Sequence, residues 1–295
     1  MVSLSFAAVK EKDYESTVQR INQILTDLYY ENSFLLESDR LLPEEKEDFR
    51  QISNEMSEVT ATMALHRLSR YLHKHFGKRV ILLLDEYDTP MQEAYVNGYW
   101  EELVSFTRSM FNAAFKTNPS LDRAIMTGIT RVSRESIFSD LNNLKIVTTT
   151  SDEYADCFGF TEEEVFAALD EYGILDRRQE VKNWYDGFTF GKQTDIYNPW
   201  SILNYLDTGK ATAYWANSSS NSLVGKLVRE GSADIKQEFE ELIFGRSIRA
   251  SIDEQIVYGE LDGSEEGIWS LLLASGYLKV LWYEEFDEVD EDTDP

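Results

Sequence analysis

The sequence predicts an α/β protein: a parallel-sheet core followed by a mainly helical domain. Three observations carry this. Residues 80–84 are Val-Ile-Leu-Leu-Leu, a continuous apolar run of the kind found in strands buried on both faces of a parallel sheet. Around it, short apolar or β-branched runs at residues 3–9, 123–127 and 145–150 alternate with helical patterns of ten or more residues. Beyond residue 155 the apolar spacing turns mainly helical.

The elements follow in order. After the first strand, Tyr14, Val18, Ile21, Leu25 and Leu28 recur at three- and four-residue steps and mark one helical stripe. A second helix starts at Pro43, with Glu44, Glu45 and Glu47 complementing its dipole. A third carries Leu65, Leu68, Leu72 and Phe76 and stops at Gly77. A loop through Asn97 and Gly98 follows the 80–84 strand. The next helix holds Leu103, Val104, Phe106, Met110, Phe111, Ala114 and Phe115 and ends before Asn118-Pro119. Thr161 and Glu164 have the spacing of a capping box before Val165 and Phe166. Residues 184–200 read as a loop-rich aromatic stretch, residues 201–206 as a helix start, and residues 268–281 as a helix followed by a strand broken at Gly276. The expected domains are 1–155 (α/β core), 156–283 (helical, winged-helix-like) and 284–295 (acidic tail).

Composition narrows the function. The chain has 295 residues, 42% of them hydrophobic, with five Pro and fifteen Gly, so a sizeable core is expected and low complexity is not. Its net charge of −26 repels phosphate backbones, which argues against nucleic-acid binding by this segment. Eight acids and no base lie in residues 284–295, a solvated tail. The single cysteine, Cys157, permits no intrachain disulfide, accords with a reducing cytoplasm and reads as a core residue beside Phe158. No stretch approaches the roughly 18 apolar residues that span a bilayer, and no basic n-region opens the chain.

The chemistry concentrates at residues 85–90, Asp-Glu-Tyr-Asp-Thr-Pro. Carboxylates at the carboxyl end of a buried parallel strand sit where open α/β sheets bind ligands. Thr127, Thr130 and Arg131, just after the next apolar run, are candidates to sense and neutralise a γ-phosphate, with Arg134 a further candidate cation. The plainer alternatives are that the threonines only cap the strand end and the arginines pair with surface acids. No Gly-x-x-x-x-Gly-Lys-Ser/Thr occurs. Residues 187–192 come nearest, but their glycines are one residue too close and Gln193 follows Lys192. Acids alone repel a triphosphate, so the chain as written is expected to bind ATP poorly. Asp85, Glu86 and Asp88 offer an alternative hard-metal hydrolase site, although neighbours on a strand point to opposite faces. His66, His73 and His75 lack the spacing of paired zinc ligands.

Several blocks then combine: residues 80–90; residues 127–144, Thr-Gly-Ile-Thr-Arg-Val-Ser-Arg-Glu-Ser-Ile-Phe-Ser-Asp-Leu-Asn-Asn-Leu; residues 156–161; Trp-Tyr-Asp-Gly-Phe at 184–188; Ile-Tyr-Asn-Pro-Trp-Ser-Ile-Leu at 196–203; and Tyr-Trp-Ala-Asn-Ser-Ser-Ser-Asn at 214–221. In this order they resemble the bacterial and archaeal AAA-ATPase-like domain proteins over nearly the whole chain. Those proteins are P-loop hydrolases of the AAA-related, signal-transducing type, usually followed by a nuclease-like domain. The resemblance implies a P-loop NTPase-like core, here incomplete. The strand with the phosphate loop (Walker A) and the C-terminal domain are missing from this chain, which reads as truncated.

By position, residues 80–86 resemble a Walker B element. Asp85 resembles the Mg²⁺-associated acid, Glu86 the water-activating acid, Thr127 or Thr130 the polar sensor and Arg131 an arginine sensor. Asn198 and Pro199 resemble a nucleotide-touching proline motif. The implied cofactors are ATP and Mg²⁺, the implied enzyme an ATPase that is inactive in this fragment. The lost strand is expected to leave an open apolar sheet edge beside the Thr127 strand, available to a protein partner or to self-association. A non-enzymatic interaction module is therefore the second reading.

Overall fold

The computed structural model describes residues 1–129, 144–215, 222–253, 264–282 and 284. It falls into two compact units. The first is Met1–Lys145 with Asn221–Leu271, the second Ile146–Ser220 with Leu272–Pro295.

The first unit is mixed α/β and built on a three-stranded parallel sheet. Its strands are β1 (Val2–Ser5), β2 (Val80–Asp85) and β3 (Leu121–Met126), in the order β1-β2-β3. The register sets Ser5 opposite Asp85 and Met126 opposite Leu84. Helices α1 (Tyr14–Glu31), α2 (Pro43–Arg50) and α3 (Glu58–Phe76) fill the crossover from β1 to β2. Helices α4 (Thr89–Asn97) and α5 (Trp100–Phe111), with a π-turn at Asn112–Lys116, fill the crossover from β2 to β3. Parallel neighbours require such long connections because the chain must return to the same end of the sheet.

Of the expected stripe on α1, Val18, Ile21, Leu25 and Leu28 are buried and Tyr14 is half-buried; on α3, Leu65 and Leu68 are buried too. Asp13 caps α1 by accepting from the Ser16 N–H at 2.9 Å. Gly77 ends α3 in the left-handed region at φ 66°, which glycine adopts without strain.

Some expectations are corrected. β2 is not buried on both faces: Val80, Leu82 and Leu84 are buried, whereas Ile81 and Leu83 are half-buried. The first strand is shorter than residues 3–9, because a turn begins at Phe6, whose N–H donates to the Asp85 carbonyl. Residues 89–97 form α4, where a loop was expected. Residues 145–150 are not a strand. Residues 146–150 are β-branched, but among the described residues no strand pairs with them, and β-propensity has effect only within a ladder. Among the described residues β3 pairs with β2 alone, and Ile125 is 53% exposed.

The second unit holds a small antiparallel sheet ordered β4-β6-β5: β4 (Phe160–Thr161), β5 (Asp186–Phe190) and β6 (Gln193–Tyr197). It also holds α6 (Glu162–Glu171), α7 (Arg178–Tyr185) and α8 (Pro199–Thr208). Residues 184–200 are thus mostly a hairpin and not the loop expected. The capping box forms as expected: Thr161 Oγ1 accepts from the Glu164 N–H, and Glu164 Oε2 accepts from the Thr161 N–H at 2.9 Å. Val165, Leu169, Val181, Tyr185, Tyr197, Ile202 and Tyr205 make this unit's core. Cys157 is exposed, as is Phe158, so this pair is not a core element. Helices α9 (Ser222–Glu230), α10 (Ala233–Ile243) and most of α11 (Glu265–Ala274) return to the first unit. The expected strand after Gly276 is not formed.

Candidate functional site

The carboxyl ends of all three parallel strands meet at Asp85. In the β-ladder Ser5 lies beside it on β1, and Thr127 follows the end of β3. The Thr127 hydroxyl donates to Asp85 Oδ1 at 2.5 Å, and the Ser5 hydroxyl donates to Asp85 Oδ2 at 3.4 Å. Asp85 is exposed and forms no salt bridge among the described residues, so its charge is met by hydroxyls alone. The backbone fixes this arrangement on both sides: Thr127 N–H donates to Leu84 O at 2.9 Å, and Tyr87 N–H donates to Thr127 O at 3.0 Å.

Glu86 ends the strand abruptly. Its φ is +49°, a left-handed conformation that costs a non-glycine residue about 1–2 kcal/mol. The strand has therefore finished at Asp85, and the alternation that would send Glu86 to the opposite face no longer applies. The Thr89 hydroxyl donates to Glu86 Oε2 at 3.0 Å and holds that carboxylate over the first turn of α4.

Asp88 is 1% exposed and accepts from Gln92 Nε2 at 3.1 Å. It packs so tightly on Gly128 that a β-carbon there would lie 2.5 Å from Asp88 Oδ1 and 2.9 Å from Tyr87 Cε1. Gly128 is thus required by close approach, and this contact seats the turn that delivers Thr127. Among the described residues no three His, Cys, Asp or Glu side chains come together to hold a metal ion, so Asp85, Glu86 and Asp88 are not assembled as a trio.

Thr130, Arg131 and Arg134 lie outside the described residues. Asn198 and Pro199 belong to the second unit, where Asn198 caps α8 by accepting from the Ser201 N–H at 3.0 Å and Pro199 takes the first helical position. The histidines make ordinary contacts: His73 Nδ1 with Ser120 Oγ at 3.2 Å, His75 Nδ1 with Ser38 Oγ at 2.8 Å. Ser5 was not singled out in the sequence. Its partnership depends on pairing with a strand 80 residues away, for which no local pattern exists.

The Trp-Tyr-Asp-Gly-Phe segment has a structural account in the second unit. Tyr185 packs on Tyr205 at 5.8 Å between ring centroids and donates to Thr212 O at 3.0 Å. Asp186 faces Lys279 at 3.6 Å and lies near Asp195. Asp195 has φ +58° and meets Lys182 at 3.2 Å. Lys182 also meets Glu162 at 2.5 Å, and the Tyr197 hydroxyl donates to Glu162 at 3.0 Å.

Burial raises the Asp186 pKa above the usual carboxylate value, and the Asp195 carboxyl adds to this against the opposing charge of Lys279. Asp195 is also disfavoured by desolvation, but hydrogen bonds from Lys182 and Thr194 outweigh it and hold its pKa low. A raised carboxyl contributes stability below its unfolded value of about 4 and loses it as pH climbs through the folded value. A lowered one contributes above that value and loses it as pH falls through the folded one. The pair is therefore most stabilising on the acid side of neutrality. Thermal melts of the second unit, followed by tryptophan fluorescence as pH is raised from about 4, are expected to show falling stability with rising pH. In Asp186→Asn this dependence is expected to flatten, and an unchanged slope would dismiss Asp186 as its source.

These features define an α/β protein with a carboxylate–hydroxyl site at the carboxyl edge of a parallel sheet. Residues 1–138 match the AAA-ATPase-like family model, described as "Predicted AAA-ATPase". It is also similar to an uncharacterized protein in the vnfD 5′ region of Azotobacter chroococcum mcd 1, 29% identical over 168 residues. Those residues are 56% of this chain and 32% of that protein, so the chain spans about a third of the length of the curated relative it matches. No solved structure matches. No helix among the described residues is long and apolar enough to cross a membrane.

Proposed function

We propose that the Asp85 site is the cation-handling half of an ATPase-type centre in a P-loop NTPase-like core. The observation that carries this is the convergence of Ser5, Asp85 and Thr127 at the ends of three parallel strands, where open α/β sheets take ligands. The donor set is one carboxylate and two hydroxyls, all hard oxygens, and it fits Mg²⁺. That ion keeps several waters and binds through one or two carboxylates together with substrate phosphates. Mg²⁺ would supply charge neutralisation at the transferred phosphoryl group. Asp85 orients the hydrated cation, Thr127 holds Asp85 through Oδ1, and Glu86 is placed to accept a proton from an attacking water.

The 295 residues contain no Gly-x-x-x-x-Gly-Lys-Ser/Thr, so the chain by itself is expected to bind ATP weakly and to hydrolyse it slowly or not at all. The phosphate-gripping strand belongs beside β3, whose outer edge has no partner strand among the described residues. The same edge, with Ile125 exposed, supports the second reading, a module that docks a protein partner or a second copy.

Titration of the chain with a fluorescent ATP analogue and Mg²⁺ tests the first reading. Weak, Mg²⁺-dependent binding that disappears in Asp85→Asn is the expected result. Tight binding that ignores both Mg²⁺ and Asp85→Asn would place nucleotide elsewhere and sink the assignment.

A further inference from the structure

The two oxygens of Asp85 are held unequally, and this gives Ser5 a role of its own. Oδ1 receives the Thr127 proton at 2.5 Å, whereas Oδ2, among the described residues, receives only the Ser5 proton at 3.4 Å, beyond the usual range for a hydroxyl–carboxylate bond. The Ser5 hydroxyl is itself aimed. Ala7 N–H donates to Ser5 Oγ at 3.2 Å, and Phe6 N–H donates to Asp85 O at 2.9 Å, which fixes the turn after β1 against the end of β2. One Ser5 lone pair is thus occupied by backbone, and its proton rests loosely on Oδ2. Both residues are exposed at this edge, so a hydrated ion reaches them.

We propose that Ser5 is a positioning residue of the cation site. A divalent cation binds at Asp85 Oδ2, displaces the loosely held hydroxyl proton from it, and is met by Ser5 Oγ through one of the cation's waters. Thr127 keeps Oδ1 throughout. The inference rests on the reading of Asp85 as the cation acid and deepens it by naming which carboxylate oxygen the cation takes and which strand supports it. The unequal bonds decide the choice: replacing a bond of 3.4 Å costs less than replacing one of 2.5 Å.

Mn²⁺ alone is the probe, read by paramagnetic broadening of the backbone amide signals of Phe6, Glu86 and Gly128 in the full chain. This site-resolved readout separates the site from cations gathered elsewhere by a chain of net charge −26. Ser5→Ala is expected to need about tenfold more Mn²⁺ for the same broadening, the usual cost of removing an outer-sphere partner. Ser5→Thr, which restores the hydroxyl and suits a strand, is expected to return the affinity to that of the unsubstituted chain. Asp85→Asn is expected to abolish the broadening. If Ser5→Ala behaves as the unsubstituted chain does while Asp85→Asn loses binding, the role of Ser5 is overturned and the Asp85 reading stands. If Asp85→Asn also binds normally, both fall.

Discussion

Gly128→Val is expected to destabilise the first unit by about 3 kcal/mol and to separate Thr127 from Asp85. The β-carbon it introduces would lie 2.5 Å from Asp88 Oδ1 and 2.8 Å from Asp88 Cγ. Asp88 has no room to yield, being 1% exposed and tied to Gln92. The strain therefore passes to the turn after β3, and with it to the hydrogen bond that orients the Asp85 carboxylate. Urea unfolding gives the stability change, and Mn²⁺ broadening at Glu86 gives the effect on the site. Asp88→Ala in the same chain should recover part of the loss, since residues in direct contact couple by about 0.5–3 kcal/mol. Additive losses in the double variant would mean that Gly128 matters for some reason other than Asp88.

Leu82→Ala is expected to cost about 3–4 kcal/mol, within the range for fully buried leucines in a packed core. Leu82 is 1% exposed at the middle of β2, the central strand, with Val2 and Ala124 opposite it on either side. Its neighbour Leu83 is half-buried on the opposite face. Leu83→Ala is therefore expected to cost about half as much, since it removes less surface from water and leaves a smaller void. Equal losses at the two positions, measured by urea denaturation, would restore the two-face burial that the unbroken apolar run implied.

That run shows how far pattern reading goes. Consecutive aliphatic residues at 80–84 identify a strand of an α/β sheet, because polar residues are absent from both faces. They do not reveal how completely each face is covered, which depends on the helices packed there. Helices α1 and α3 were legible because their stripes repeat at three- and four-residue steps, and the capping box at Thr161 and Glu164 because its chemistry is local. α4 was not legible: Thr89-Pro90 resembles a turn, yet proline is well tolerated in the first turn of a helix. The β5–β6 hairpin was hidden by its bulges, which break the two-residue alternation, and by Asp195 in a left-handed conformation.

Within the site, Asp85, Glu86 and Thr127 stood out as polar residues that close apolar runs, whereas Ser5 and Gly128 did not. The linear chain by itself determined the class of fold, the three strands of the first sheet and most of the helices between them, α4 excepted, and the position of the acids at a strand's end, since each depends on residues a few positions apart. Only the tertiary structure decided that Ser5 and Thr127 share Asp85, that Asp88 closes on Gly128, and that residues 221–271 return to the first unit. Those contacts join segments tens of residues apart, and their geometry is set by sheet register and close packing, which no short window of sequence contains.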